Sequence, residues 1–286
     1  MSAVISARNL GKRYRQTKAL DDCSFEVLQG RIVGLIGPNG AGKTTALKAI
    51  LGLTDFDGEL SVLGHDPRSQ RHALMQDVCF IADVAVLPRW IRVGEAIEYV
   101  EGVHPRFSRE KCEAFLARTK IKPTMRVREL SKGMVVQLHL ALVMAIDAKL
   151  LILDEPTLGL DILYRKDFYQ TLLNDYFDHA KTILVTTHQV EEIEHILTDL
   201  IFIKDGRIAL SATMDDVAQR FSELMVGPEK REAAVALKPL YERTIFGKSV
   251  FLYDGPERAR LAELGEVHKP SVADIFVATM KNGAAA

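Results

Sequence analysis

The sequence predicts a layered α/β fold: a parallel sheet, one helical insertion and a small α/β unit appended at the C-terminus. Three observations carry that prediction. A β-branched run at 31–37 breaks into glycines, an apolar run at 150–154 ends in carboxylates, and a further strand lies at 182–187. Helix-like segments alternate with these runs, the rhythm of a wound α/β core. Residues 90–148 are helix-rich, with breaks at Gly102-Val103-His104-Pro105 and Lys122-Pro123.

Taken in order, residues 3–10 and 23–28 alternate in polarity and suit short strands of an antiparallel β subdomain. Residues 31–37 (RIVGLIG) are the first buried strand, and 41–53 read as the helix after it. Strands return at 150–154, 182–187 and 200–204, with a helix over 163–177 between the first two. Asp205-Gly206 is a strong hairpin turn, which makes 200–210 an antiparallel edge. Beyond about Thr213 short helix and strand fragments follow, ending in Pro270-Ser271-Val272-Ala273-Asp274-Ile275-Phe276, a capped helix start. The resulting division is a main domain over 1–213, with its helical subdomain at about 84–148, and an accessory region over 214–286.

Bulk composition narrows the function. Lys+Arg of 37 against Asp+Glu of 38 gives a net charge of −1, without the basic excess of a nucleic-acid reader. Lys12, Arg13, Arg15 and Lys18 read as a solvated strand face. Cys23, Cys79 and Cys112 are scattered, odd in number and free of CxxC, the pattern of reduced cytosolic thiols. The N-terminus lacks the apolar core of a signal peptide. The longest apolar stretch, near 138–153, is interrupted by His139, Asp147 and Lys149, short of the ~20 residues a membrane span needs.

Two motifs carry chemistry. Gly37-Pro38-Asn39-Gly40-Ala41-Gly42-Lys43-Thr44 matches the phosphate-loop pattern at every position. Glycines let successive backbone N–H groups converge on phosphates, and the helix N-terminus that follows adds positive potential. Lys43 reaches the β- and γ-phosphates in this reading, and the Thr44 hydroxyl ligates Mg²⁺. The second motif is the apolar strand 150–154, which ends in Asp154-Glu155. Asp154 is placed to hold Mg²⁺ through water and Glu155 to polarise the attacking water. Between them, Leu130-Ser131-Lys132-Gly133-Met134 opens a mostly apolar helix-like run, so Ser131 is at least an N-cap.

Together these residues resemble the ATP-binding cassette (ABC) ATPase family, over roughly residues 3–210 and in the family's motif order. The resemblance implies a P-loop NTPase core, and two nucleotide-binding subunits pairing head to tail around ATP. It gives Ser131 and Gly133 the role of capping, in trans, the γ-phosphate held by the other subunit, and it adds Thr45 to the nucleotide-binding loop. By the same resemblance His188 is a switch that senses the γ-phosphate, Asp161 couples the two sites across the dimer, and Tyr14 stacks on adenine. Where the family has a glutamine that links Mg²⁺ to the helical subdomain, Asp83 stands nearest. It is either a metal ligand or a loop carboxylate.

The chain also departs from the family. LSKGM replaces the common LSGGQ, so Lys132 adds a cation and Met134 removes an amide. Val135, Val136 and Gln137 replace polar residues or arginine. Weaker polar anchoring of this helix is expected, with ATPase competence retained. The aromatics Trp90, Tyr99, Phe107 and Phe115 serve either a surface that grips a membrane subunit or the subdomain's own core.

The function implied is the ATP-hydrolysing subunit of an ABC transporter, peripheral on the cytoplasmic face of the membrane. Its expected partners are a separate transmembrane permease and a second copy of itself, with no nucleic acid. The short C-terminal region resembles exporters, because the regulatory domains of some sugar importers are too large for 214–286. The competing reading is a non-transport ABC ATPase acting on nucleic acid or ribosomes. It lacks support from a coiled-coil insertion, a second cassette or a basic stripe. A small P-loop kinase or GTPase would have no use for LSKGM.

Overall fold

The computed structural model describes residues 2–82, 87–158, 162–178, 180–255 and 258–282. The chain begins with β1 (Ala3–Tyr14), β2 (Thr17–Leu28), β3 (Ile32–Ile36), α1 (Lys43–Ile50), β4 (Asp57–Val62), α2 (Arg71–Leu74) and β5 (Val78–Ile81). The helical segment follows as α3 (Val93–Val103), α4 (Arg109–Leu116) and α5 (Lys132–Met144). The core resumes with β6 (Leu150–Asp154), α6 (Ile162–Thr171), β7 (Thr182–Thr187), β8 (Asp199–Lys204) and β9 (Arg207–Thr213). The C-terminal region contains α7 (Met214–Arg220), β10 (Phe221–Val226), α8 (Arg231–Val235), β11 (Tyr241–Ile245), β12 (Lys248–Asp254), α9 (Arg258–Ala262), β13 (Glu266–His268) and α10 (Val272–Asn282).

Among the described residues the central sheet has the order β5-β6-β7-β3-β8-β9. Its strands are parallel except β9, which returns from β8 through Asp205-Gly206. Register explains where a site can form. Ile36 lies opposite Thr187, and Asp154 opposite Thr186, so β3, β6 and β7 end side by side. Their three outgoing loops share one edge of the sheet, the carboxyl edge where open α/β sheets bind ligands.

The parallel strands are largely apolar because both faces are covered. Leu150 and Ile152 of β6 join Val33, Leu35, Leu184 and α1 on the face beneath the antiparallel sheet β2-β1-β4. Leu151 and Leu153 join Ile183, Val185 and Phe168 on the opposite face. The apolar helix α5 serves two cores as well. Leu138, Ala141 and Leu142 pack into the helical subdomain, while Leu140 and Val143 face the main core. That double burial accounts for the long apolar run, and no described helix is long and apolar enough to cross a membrane.

Several element boundaries differ from expectation for local reasons. The strands expected at 3–10 and 23–28 extend to Tyr14 and back to Thr17, because Arg15 takes a left-handed φ of 53° and closes a tight turn. The helix expected over 41–53 spans only Lys43–Ile50, bounded by Gly42 at φ 112° and Gly52 at φ 63°. The helix expected over 163–177 ends in a widened π turn at Leu172–Tyr176. The C-terminal fragments assemble into an antiparallel sheet, β11-β12-β10-β13. Its last helix, α10, packs Val272, Ile275 and Ala278 into the same cluster as Ile36, Leu153 and Phe202.

Candidate nucleotide site

The loop that leaves β3 returns as α1, and its backbone admits little but glycine at two points. At Gly37 a Cβ would lie 2.5 Å from the Ile203 carbonyl oxygen, and at Gly42 one would lie 2.5 Å from that of Ala19. Gly42 is also the left-handed N-cap of α1, so the first amides of the helix open toward the loop. Lys43 is buried. Its Nζ donates to the carbonyl oxygens of Gly37 at 2.8 Å and Pro38 at 3.4 Å.

Asp154 ends β6 and is held from both sides. Thr186 Oγ1 donates to its Oδ1 at 2.5 Å, and Thr44 Oγ1 lies 3.5 Å from its Oδ2. The Thr44 hydroxyl and the Asp154 carboxylate are hard oxygen donors at adjacent positions, the chemistry that suits a small divalent cation with waters completing its shell. Glu155 follows in a left-handed conformation, φ 47°, which few residues other than glycine adopt. The turn carries its carboxylate back over the loop. Oε1 lies 3.4 Å from Lys43 Nζ, and Oε2 lies 2.8 Å from His188 Nδ1. A carboxylate only accepts, so Nδ1 is the donating nitrogen.

These groups line one open cavity of about 410 Å³. Of the residues expected from sequence, Pro38, Asn39, Gly40, Ala41, Gly42, Lys43, Thr44, Thr45, Asp154, Glu155 and His188 all contribute to its wall. Gly37 contributes its carbonyl oxygen to Lys43. Others lie elsewhere. Tyr14 sits exposed at the β1–β2 turn, its hydroxyl 3.5 Å from Thr54 Oγ1. Ser131 caps α5 by accepting from Met134 N at 3.3 Å, and it is exposed. Gly133 is buried and borders a second cavity of about 290 Å³ between α5 and α6. Neither Ser131 nor Gly133 lines the first cavity. Asp83 and Asp161 lie outside the described residues.

Four features escaped the sequence reading. Ala19 and Leu158 also line the cavity, and small or aliphatic residues leave no chemical signal. Thr186 contacts Asp154, a role hinted at only by a threonine inside an apolar strand. Behind His188, Arg165 of α6 donates to Gln189 Oε1 at 2.9 Å and pairs with Glu192, whose other oxygen accepts from Thr157 at 3.1 Å. This network ties the turn after Glu155 to the segment after His188. The cysteines stay apart from such chemistry: burial pushes the Cys23 thiol up to about 11 and those of Cys79 and Cys112 to about 12. Trp90 and Tyr99 are 67% and 68% exposed, whereas Phe107 and Phe115 pack against the cores, so the four aromatics do not share one role.

A phosphate loop at the carboxyl edge of a parallel sheet, facing a carboxylate pair on the next strand but one, defines a class: the phosphate-loop NTPases. A family profile described as "ABC transporter" matches residues 20–158. The chain is 34% identical to a Nod factor export ATP-binding protein I of Paraburkholderia xenovorans, over 96% of each chain. It is 35% identical to the protein of that name from Burkholderia thailandensis, again over 96% of each. A solved ATP-binding subunit of an ABC transporter superposes with a TM-score of 0.66 at 25% identity, over 76% of this chain and 92% of that one. A bacterial Atm1-family ABC exporter with ATP bound shares the fold at a TM-score of 0.64 and 23% identity, over 75% of this chain and 39% of that one. The chain belongs to the ABC transporter ATP-binding proteins, and it is an ATPase.

Proposed function

We propose that this chain powers an exporter whose permease is a separate polypeptide, by closing as a dimer around ATP and reopening after hydrolysis. The observation that carries the hydrolytic part is the chain of contacts Lys43–Glu155–His188 within the phosphate-loop cavity. Loop amides and Lys43 hold the β- and γ-phosphates. Thr44 and Asp154 hold Mg²⁺, which when bound offsets the negative charge of those phosphates. Glu155 takes the proton from the attacking water, and His188, hydrogen-bonded to that carboxylate, senses the γ-phosphate. The exposed ring of Tyr14 stacks on the base, near the strand that supplies Ala19 to the cavity. Ser131 and Gly133, at the N-terminus of α5 and away from the chain's own cavity, complete the site of the other subunit.

Export is supported by likeness to export ATP-binding proteins across 96% of the chain, the C-terminal region included. A peripheral position on the cytoplasmic face of the membrane follows from that partnership. The test is Glu155→Gln in the full chain together with its membrane partner. ATP binding should persist, hydrolysis should fall about a hundredfold or more, and a nucleotide-dependent dimer should accumulate. A variant that stays monomeric at saturating ATP and still hydrolyses it would overturn the assignment. Recovery on ribosomes or DNA, without a multi-span membrane protein, would overturn the exporter reading.

A further inference from the structure

β7 is buried and apolar through Ile183, Leu184 and Val185, yet its next residue carries a hydroxyl. A fully buried hydroxyl is unfavourable unless it is bonded, and Thr186 is bonded twice within the hydrolysis site. Its Oγ1 donates to Asp154 Oδ1 at 2.5 Å and accepts from the Glu155 N–H at 3.2 Å. We propose that Thr186 is a positioning residue for ATP hydrolysis, its hydroxyl fixing the Asp154 carboxylate and the Glu155 backbone as one unit. The proposal rests on the roles of Asp154 and Glu155 given above.

A hydroxyl has one hydrogen, and here it points at the carboxylate, which leaves a lone pair for the Glu155 amide. Binding Oδ1 fixes the rotation of the carboxylate and directs Oδ2 toward Thr44 Oγ1. The Glu155 N–H is shared between this hydroxyl and the Thr186 carbonyl oxygen at 3.1 Å. Both acceptors therefore belong to one residue, and they hold the left-handed turn at Glu155. Such a turn persists only where its surroundings over-determine it. That turn is what returns the carboxylate to Lys43 and His188. One hydroxyl thus links the metal-side carboxylate to the backbone of the base.

The experiment compares Thr186→Val, which keeps the shape and removes the hydroxyl, with Thr186→Ser, which keeps the hydroxyl and opens a small void. Calorimetry of the full chain reads ATP affinity with and without Mg²⁺, and steady-state kinetics read kcat and KM. Thr186→Val should keep its Mg²⁺-free affinity, lose about fivefold or more of the tightening that Mg²⁺ produces, and lower kcat about tenfold or more. Thr186→Ser should stay within about threefold of the parent in kcat while its thermal midpoint falls. A purely structural role predicts the reverse order, with Val active and Ser impaired, and that result would overturn the proposal. So would a Val variant with the parental Mg²⁺ response. If Val does not fold, Ser alone decides: a tenfold loss of kcat refutes the inference. Asp154→Asn separates the two levels. A lost Mg²⁺ response there but not in Thr186→Val sinks only the Thr186 inference, whereas a retained response in both sinks the reading of the site.

Discussion

Gly42 carries the sharpest backbone demand in the phosphate loop. It combines φ 112° with a backbone oxygen 2.5 Å from where a Cβ would stand. Strained backbone of this kind costs roughly 1–3 kcal/mol, and the Ala19 oxygen belongs to a strand locked into the antiparallel sheet. Gly42→Ala should therefore displace the loop and weaken ATP binding by more than about tenfold in calorimetry. Parental affinity in that variant would show that the loop amides are not the phosphate cradle. Glu155 occupies the same backbone region and needs its side chain there, so its strain is carried by the contacts from Thr186. Residue 42 was legible in the sequence because the phosphate-loop string is local. Thr186 was not, because its partner Asp154 is 32 residues away and becomes a neighbour only when β6 and β7 pair.

The N-terminus of α5 has one observed duty, a helix cap, and one proposed duty, toward a partner's phosphate. Ser131 satisfies an orphan amide of its own helix and stands exposed where a phosphate could meet the helix N-terminus. Substitution separates the cap from the proposed duty. Replacing an N-cap serine by alanine costs about 1 kcal/mol, and by glycine only a few tenths. Ser131→Ala should thus lower the thermal midpoint by about 2–4 °C, with Ser131→Gly close to the parent. If the hydroxyl also caps a partner's γ-phosphate, both variants lose ATPase activity regardless of their stability. Equal activity in Ser131→Gly and the parent would leave Ser131 as a cap alone. Lys132, exposed beside it, offers a companion test of the departures from the family pattern. The strands at 150–154 and 182–187 were legible from their apolar centres, since both faces of the sheet are covered. The second core served by α5 was not, because a helix apolar on all sides does not say which neighbours bury it.

The C-terminal region is joined to the ATPase core through α10, together with Val217, Phe221 and Leu252 of α7, β10 and β12. Ile275 is fully buried in the cluster that holds Leu153, Val185 and Phe202, and Phe276 meets Phe202 edge-on at 5.2 Å. Polar contacts fasten both ends of the helix: Val272 N donates to Glu194 at 3.2 Å, and Lys204 Nζ donates to the Met280 carbonyl oxygen at 2.5 Å. Glu194 belongs to the segment that follows His188, so α10 braces the strand end that carries His188. The sheet of this region also has a private core, with Leu224, Phe251 and Leu261 fully buried within it. Two substitutions of equal chemistry therefore probe different bodies. Ile275→Ala should cost about 2–5 kcal/mol of core packing and raise amide exchange in β7 and β8 as well as in α10. Leu261→Ala should cost a similar amount, with faster exchange confined to β10, β12 and β13. Hydrogen exchange read strand by strand distinguishes them. If Ile275→Ala leaves β7 and β8 as protected as in the parent, α10 rests on the core without supporting it.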